Sequence, residues 1–162
     1  MERPRLMLAE DDGALASILE EYLVNAGYDV VVYRRGDLAL AALQEGSFDL
    51  ILADVVMPGA DGLSLLNFVR ENSSDTLVLL MTGFSSIEDA LLAVKQGAYD
   101  FVSKPFQLPE IRIRLDNAAR YQQLMRLWKQ KTGKLERLEG SYHGNDMAAV
   151  RAYGRQNDEE GR

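Results

Sequence analysis

Cysteine is absent from the 162 residues, and histidine occurs once, as His143. The first absence excludes disulfide frameworks, thiolate metal sites and cysteine nucleophiles. Together they argue against zinc, which favours sulfur and imidazole ligands. Long apolar runs are missing too: none approaches the roughly 18 residues a membrane span needs. The apolar stretch behind Met1-Glu2-Arg3-Pro4-Arg5 is too short for a secretory signal. Positive charge is in deficit, with 18 Lys and Arg against 25 Asp and Glu and a formal net charge of -7. Binding a phosphate backbone favours a net basic surface, so direct nucleic-acid binding is not expected. What remains is a cytoplasmic protein with no membrane segment. Its 47% hydrophobic and 27% charged residues suffice for a packed core, and its length fits one domain with a short appendage.

Short apolar runs alternate with segments of helical period. The runs are Leu6–Ala9, Tyr28–Tyr33, Leu50–Ala53, Leu77–Met81 and Asp100–Val102. Most are rich in Leu, Val or Ile, as strands buried on both faces should be. Ala14–Ala26 carries Leu15, Ile18, Leu19, Tyr22 and Leu23 at helical spacing and stops at Gly27. Asp37–Gln44 and Leu63–Arg70 are the next helices. Ser85-Ser86-Ile87-Glu88 has capping-box spacing and opens a segment that closes at Gly97. This repeated βα alternation predicts an α/β fold: a five-stranded parallel sheet, doubly wound, with helices on both faces and right-handed crossovers.

From Leu108 the pattern reads as one extended C-terminal helix. Residues 1–120 are expected to form the domain and 121–140 a helical extension. Tyr121, Leu124, Trp128, Leu135 and Leu138 keep a 3-4 spacing there, with Lys131 the polar member of the seam. A coiled coil and an amphipathic helix with a frayed end both fit, because Thr132-Gly133 interrupts the seam. Residues 141–162 read as a polar, flexible tail.

In an open parallel sheet, ligands bind outside the carboxyl ends of the strands. Glu10, Asp11 and Asp12 follow the first run, Asp54 the third, Thr82 the fourth and Lys104-Pro105 the fifth. Each has a bland explanation alone: Asp12 as the N-cap of the next helix, Thr82 as a turn residue, Lys104 as a solvated charge. Four strand ends offering carboxylates, a hydroxyl and an ammonium to one place are harder to dismiss. Clustered carboxylates repel one another, and a hard divalent cation such as Mg²⁺ removes that cost while keeping room for a phosphate. One carboxylate could then act as nucleophile and form an aspartyl phosphate. Lys104 would neutralise charge during transfer, and Thr82 could hydrogen-bond a phosphoryl oxygen.

Leu-Ala-Glu-Asp-Asp (8–12), Ala-Asp-Val-Val-Met-Pro-Gly-Ala-Asp-Gly (53–62), Met-Thr-Gly (81–83) and Gly-Ala-Tyr-Asp-Phe-Val-Ser-Lys-Pro-Phe (97–106) resemble the response-regulator receiver domains of bacterial two-component systems. The resemblance covers about residues 4–120. It implies the flavodoxin-like (βα)5 fold and a phosphoacceptor switch rather than an enzyme. Asp54 would accept a phosphoryl group from a histidine kinase or phosphotransfer protein. Glu10, Asp11, Asp54 and the carbonyl of Val56 would serve a Mg²⁺ ion, Glu10 through water. Lys104 would pair with the phosphoryl group, and the Lys104-Pro105 peptide would be cis. Thr82 and Phe101 match the family's switch pair, Phe101 otherwise being a core aromatic at a strand end. The output face of the fourth helix, fifth strand and fifth helix would then engage a downstream protein or domain, or a second copy of the chain. Val56 and Phe84, both apolar, would shield the acyl phosphate from water.

The Thr82-Gly83 region and the long last helix are similar to nitrogen-regulatory-type receivers, which usually precede an ATPase and a DNA-binding domain. The chain contains no G-x-x-x-x-G-K-[ST] phosphate loop, so it reads as a stand-alone receiver or as a fragment of a longer regulator. Two other readings compete. A Mg²⁺-dependent aspartyl-phosphate phosphohydrolase would place an acid two residues after its nucleophile, where this chain has Val56. A receiver-like module that acts without phosphorylation would not need the complete set of site residues. A flavodoxin-like cofactor site fits poorly, because Glu10-Asp11-Asp12 would repel a phosphate. His143 reads as a surface loop residue.

Overall fold

The computed structural model describes the backbone of residues 2–72, 75–83 and 87–159, with side chains up to residue 138 except 87, 89 and 90. Strands β1 (Arg5–Ala9), β2 (Asp29–Tyr33), β3 (Leu50–Asp54), β4 (Leu77–Thr82) and β5 (Asp100–Ser103) alternate with helices α1 (Gly13–Asn25), α2 (Gly36–Glu45), α3 (Gly62–Asn72), α4 (Ile87–Lys95) and α5 (Leu108–Glu159). The strands form one parallel sheet in the order β2-β1-β3-β4-β5. This is the flavodoxin-like, doubly wound topology expected from the alternation. The capping signal at Ser85-Ser86 and the shielding residue Phe84 lie outside the described residues, as does the side chain of His143.

Each strand divides its side chains between two cores, because successive residues point to opposite faces. Met7, Ile51, Ala53, Val78 and Leu80 pack with Leu65, Leu66 and Val69 of α3 and Ala39 of α2. Leu6, Leu8, Leu50, Leu52, Leu79 and Met81 pack on the other face with Leu19 and Leu23 of α1 and Ile111, Leu115 and Ala118 of α5. All five residues of β3 are buried, which explains its uninterrupted apolar run. The buried stripe of α1 is Ala16, Leu19 and Leu23. Ile18, counted inward from the sequence, is 52% exposed, because the stripe is centred one residue away from it.

The chain divides into a compact unit that ends at Gln122 and a second unit that begins at Gln123. Helix α5 does not stop at Thr132-Gly133, and residues 141–159, read from the sequence as a polar tail, have helical backbone. A glycine inside a helix costs only about 1 kcal/mol relative to alanine. Here the Thr132 hydroxyl donates back to the Trp128 and Lys129 carbonyls, and the Arg137 side chain donates to the Gly133 carbonyl. The groups that would favour a break are therefore bonded within the helix. Among the described residues, no helix is long and apolar enough to cross a membrane.

Candidate functional site

Strand register brings the candidate residues together. Ala9 pairs with Ala53, so Glu10 and Asp54 follow at the same level on the neighbouring strands β1 and β3. Asp54 pairs with Met81, which puts Thr82 one step beyond on β4, and Thr82 pairs with Ser103, just before Lys104. The chain reverses its winding direction between β1 and β3, and the carboxyl ends of strands at such a reversal form the usual crevice of an open α/β sheet.

Glu10 is fully buried and continues the ladder, its backbone N–H donating to the Tyr33 carbonyl. Its carboxylate accepts from the Asp12 N–H at 3.1 Å and from Lys104 Nζ at 2.8 Å. The same Nζ lies 2.5 Å from Asp54 Oδ2, while Asp54 Oδ1 accepts from the Val56 N–H at 3.0 Å. The Lys104 backbone N–H donates to the Thr82 carbonyl at 2.7 Å, which fixes the start of the lysine stem. The Lys104-Pro105 peptide is cis, as expected.

Burial pushes the Glu10 carboxyl upward, and the Lys104 and Asp12 hydrogen bonds pull against it without cancelling the rise. Burial pulls the Lys104 ammonium downward, but its bonds to Asp54 and Glu10 outweigh that, and the net direction is up. The Lys104 shift describes an ammonium held by the two acids it bonds, whereas the Glu10 shift reflects the burial of its carboxyl.

Carboxylate oxygens of Glu10, Asp11 and Asp54 all lie within 4.8 Å of one another. Three carboxylates against one ammonium leave two negative charges, and a divalent cation matches that charge and the all-oxygen donor set. Asp12 plays the other part considered for it: its side chain accepts from the Ala14 and Leu15 N–H groups and caps α1.

Thr82 and Phe101 line one apolar cavity of about 180 Å³, together with Val55, Val56, Leu63 and Leu80. Thr82 is buried, Phe101 half-buried, and the Val56 side chain is 66% exposed. The loop after β3 is docked on α2. Gly36 N–H donates to the Pro58 carbonyl at 2.9 Å, and Gly59, at φ +87°, lies against Asp37.

Two contributors escaped the sequence reading. Arg34, which follows β2, donates twice to the Asp11 carbonyl. The strand-end rule applied to the second strand as well would have found it. Gln122 is buried, and its amide donates to the Asp49 carbonyl at 2.7 Å and to the Asp75 carbonyl. Nothing in a lone helical glutamine signals that.

The model of the family described as "Response regulator receiver domain" matches residues 6–116. The chain belongs to this family. This receiver domain is 36% identical over 110 residues to the DNA-binding transcriptional regulator NtrC of Salmonella typhimurium, covering 68% of this chain and 24% of that protein. It is 37% identical over 120 residues to the uncharacterized transcriptional regulatory protein YkoG of Bacillus subtilis, covering 74% of this chain and 53% of that one. The chain thus spans between about a quarter and a half of these relatives. Among solved structures, the beryllofluoride-activated NtrC4 receiver domain dimer is similar with a TM-score of 0.69 at 31% identity, covering 73% of this chain and 98% of that one. The receiver domain of the Francisella response regulator 1452 gives a TM-score of 0.70 at 29% identity, over 74% and 98% of the two chains.

Proposed function

We propose that this receiver domain is the phosphoacceptor switch of a two-component phosphorelay, with Asp54 as the phosphorylated residue. The observation that carries the reading is the contact of the Asp54 carboxylate with Lys104, beside Glu10 and Asp11. A carboxylate oxygen of Asp54 attacks the phosphorus of a phosphohistidine on a histidine kinase or phosphotransfer protein. The P–O bond forms as the P–N bond breaks, and the electron pair leaves on the imidazole. Glu10, Asp11, Asp54 and the Val56 carbonyl are the groups that would hold Mg²⁺. Bound there, the ion would screen the phosphoryl charge. Lys104 offers its ammonium to the phosphoryl oxygens, and Thr82 offers its hydroxyl from the next strand.

A phosphoryl group adds roughly -1.5 to -2 charges at the site, which favours the arrangement bringing Lys104 and Thr82 closest. Movement of Thr82 leaves room in the shared cavity for the Phe101 ring to turn inward, altering the face of α4, β5 and α5 that a downstream protein or domain reads. The apolar Val56 beside the site lengthens the life of the acyl phosphate. The exposed seam of Leu124, Trp128, Leu135 and Leu138 supports pairing of two copies through the helical extension. The setting of such a relay is the cytoplasm.

Intact-mass spectrometry after incubation with acetyl phosphate and Mg²⁺ tests the proposal. One added phosphoryl group is expected, absent in Asp54→Asn and in EDTA. An unmodified wild type would sink it. Steady release of phosphate would then favour a phosphohydrolase, and no turnover a module that acts without phosphorylation.

A further inference from the structure

We propose that Arg34 is a positioning residue for the β1–α1 loop, and that residue 13 is glycine because the Arg34 guanidinium takes the space a side chain would need. The inference rests on reading Glu10, Asp11 and Asp54 as the Mg²⁺ site.

Of the three acids that follow β1, two are tied down by their own side chains. Glu10 is held by Lys104 and the Asp12 N–H, and Asp12 is held by the first N–H groups of α1. Asp11 differs. Its carboxylate is exposed and has no hydrogen bond or ion pair among the described residues, although one of its oxygens completes the acidic group. Its aim is therefore set by its backbone. That backbone is gripped at one point beyond its neighbours, where Arg34 Nε and Nη2 donate to the Asp11 carbonyl at 3.2 and 2.5 Å.

The base of Arg34 is fixed as well, because the preceding carbonyl, that of Tyr33, accepts from the Glu10 N–H at 3.0 Å. The guanidinium then lies over Gly13. A Cβ on that residue would stand 2.7 Å from Nη1 and 2.9 Å from Nη2. Gly13 is the first residue of α1, a place where glycine brings no helix propensity. Its presence there is explained by the space above it.

Two effects of Arg34 oppose each other. Its positive charge near the acids disfavours a bound cation, whereas its planar fork holds the loop that presents Asp11. If positioning dominates, loss of the fork weakens cation binding; if charge dominates, loss of the charge tightens it. Arg35, the neighbouring cation between β2 and α2, serves as the control, because it pairs with Asp37 and makes no bond to the β1–α1 segment among the described residues.

The test is isothermal titration of the whole chain with MgCl₂, read beside the thermal unfolding midpoint in EDTA. Arg34→Ala and Arg34→Lys are both expected to weaken Mg²⁺ binding roughly tenfold, the usual scale for a group that supports a metal ligand, with the midpoint nearly unchanged. Arg35→Ala is expected to bind as wild type does. Gly13→Ala improves the helix locally and displaces the guanidinium, so it should raise or preserve the midpoint while weakening Mg²⁺ binding by a similar factor. Combined with Arg34→Ala it should add nothing further. Wild-type or tighter binding by either Arg34 variant overturns the positioning role, and wild-type binding by Gly13→Ala overturns the account of the glycine. A wild-type chain that takes up no Mg²⁺ overturns the metal reading, and this inference with it.

Discussion

Lys104 Nζ lies 2.5 Å from Asp54 Oδ2, although the two residues are 50 apart in the chain. The contact is a product of the sheet. The register of the parallel strands brings their carboxyl ends to about one level, so the end of β5 can reach β3 across β4, and the same ammonium reaches Glu10 at the end of β1. One lysine thereby relieves two buried acids, and Asp54, the proposed phosphoacceptor, lies beside the group that would neutralise its phosphate.

Lys104→Met should uncover what that lysine compensates. Glu10 is fully buried and Asp54 is 7% exposed, so both would lose their counter-charge in a low-dielectric place. Breaking a buried pair costs roughly 3–5 kcal/mol, and Lys104 is 24% exposed, so a loss of about 1–3 kcal/mol is expected by urea denaturation near neutral pH. The pH dependence has a definite sign. Glu10 already has a raised folded pKa, and losing Lys104 raises it further. Such a group favours the folded state while protonated and loses that contribution as pH rises, so the gap to wild type should narrow on acidification. A gap that widened towards acid would mean that Glu10 is not the acid in distress.

Gly36→Ala should damage both fold and site. A Cβ at residue 36 would stand 1.6 Å from the Ala60 carbonyl oxygen, a backbone atom that cannot swing aside. Either α2 or the loop after Asp54 must move, and the Gly36–Pro58 hydrogen bond goes with it. The expected cost is about 2–4 kcal/mol in equilibrium unfolding. Phosphoryl uptake by the fraction still folded should fall too, because the displaced loop begins at Asp54.

The fold and most of the site could be read from the sequence because both depend on local pattern. Leu50–Ala53 is apolar throughout since both faces of β3 are covered, and Glu10, Asp54, Thr82 and Lys104 fall at strand ends where an open sheet places its ligands. What escaped depends on partners distant in the chain. Arg34 matters through a carbonyl 23 residues earlier, and Gln122 through one 73 residues earlier. A single arginine in a loop or glutamine in a helix looks solvated until the sheet is assembled. Ile18 was misplaced because helical spacing fixes the period of a stripe more firmly than its phase. The helical backbone of residues 141–159 is not legible because the apolar periodicity fades after Gly140.

Tyr28→Phe isolates one tie between the α1–β2 corner and α5. The Tyr28 hydroxyl donates to Asp116 Oδ1 at 2.6 Å from a side chain that is almost wholly buried. Removing a hydrogen bond to a charged acceptor should cost about 1.5–3 kcal/mol. Burial, and then Asp116, push the tyrosine pKa well above its ordinary 10.0. For a group raised in the folded state, the stabilisation is complete below the unfolded value and is lost as pH climbs towards the folded one. Wild-type stability should therefore drop between about pH 9 and pH 11, measured by urea unfolding, and Tyr28→Phe should flatten that drop. Equal slopes for the two proteins would show that Tyr28 ionises as freely folded as unfolded.

Truncation locates the end of the folded unit. The Gln122 amide joins the Asp49 carbonyl, at the entry to β3, with that of Asp75, ahead of β4. Tyr121 packs against Tyr99 with the rings tilted by 42° and their centroids 5.6 Å apart. A chain ending after Gln123 keeps both contacts and should unfold at the midpoint of the full chain. One ending after Ala119 loses both and should be weaker by about 2–4 kcal/mol, combining two lost hydrogen bonds with a lost aromatic pair. Gln122→Leu should account for about 1–3 kcal/mol of that, the Asp49 carbonyl keeping the Leu77 N–H as a partner. Light scattering on the same proteins separates stability from assembly. If the exposed seam of Leu124, Trp128, Leu135 and Leu138 pairs two copies, the chain ending after Gln123 will be as stable as the full chain yet monomeric. A dimer that survives this truncation must instead be held by a face of the receiver unit.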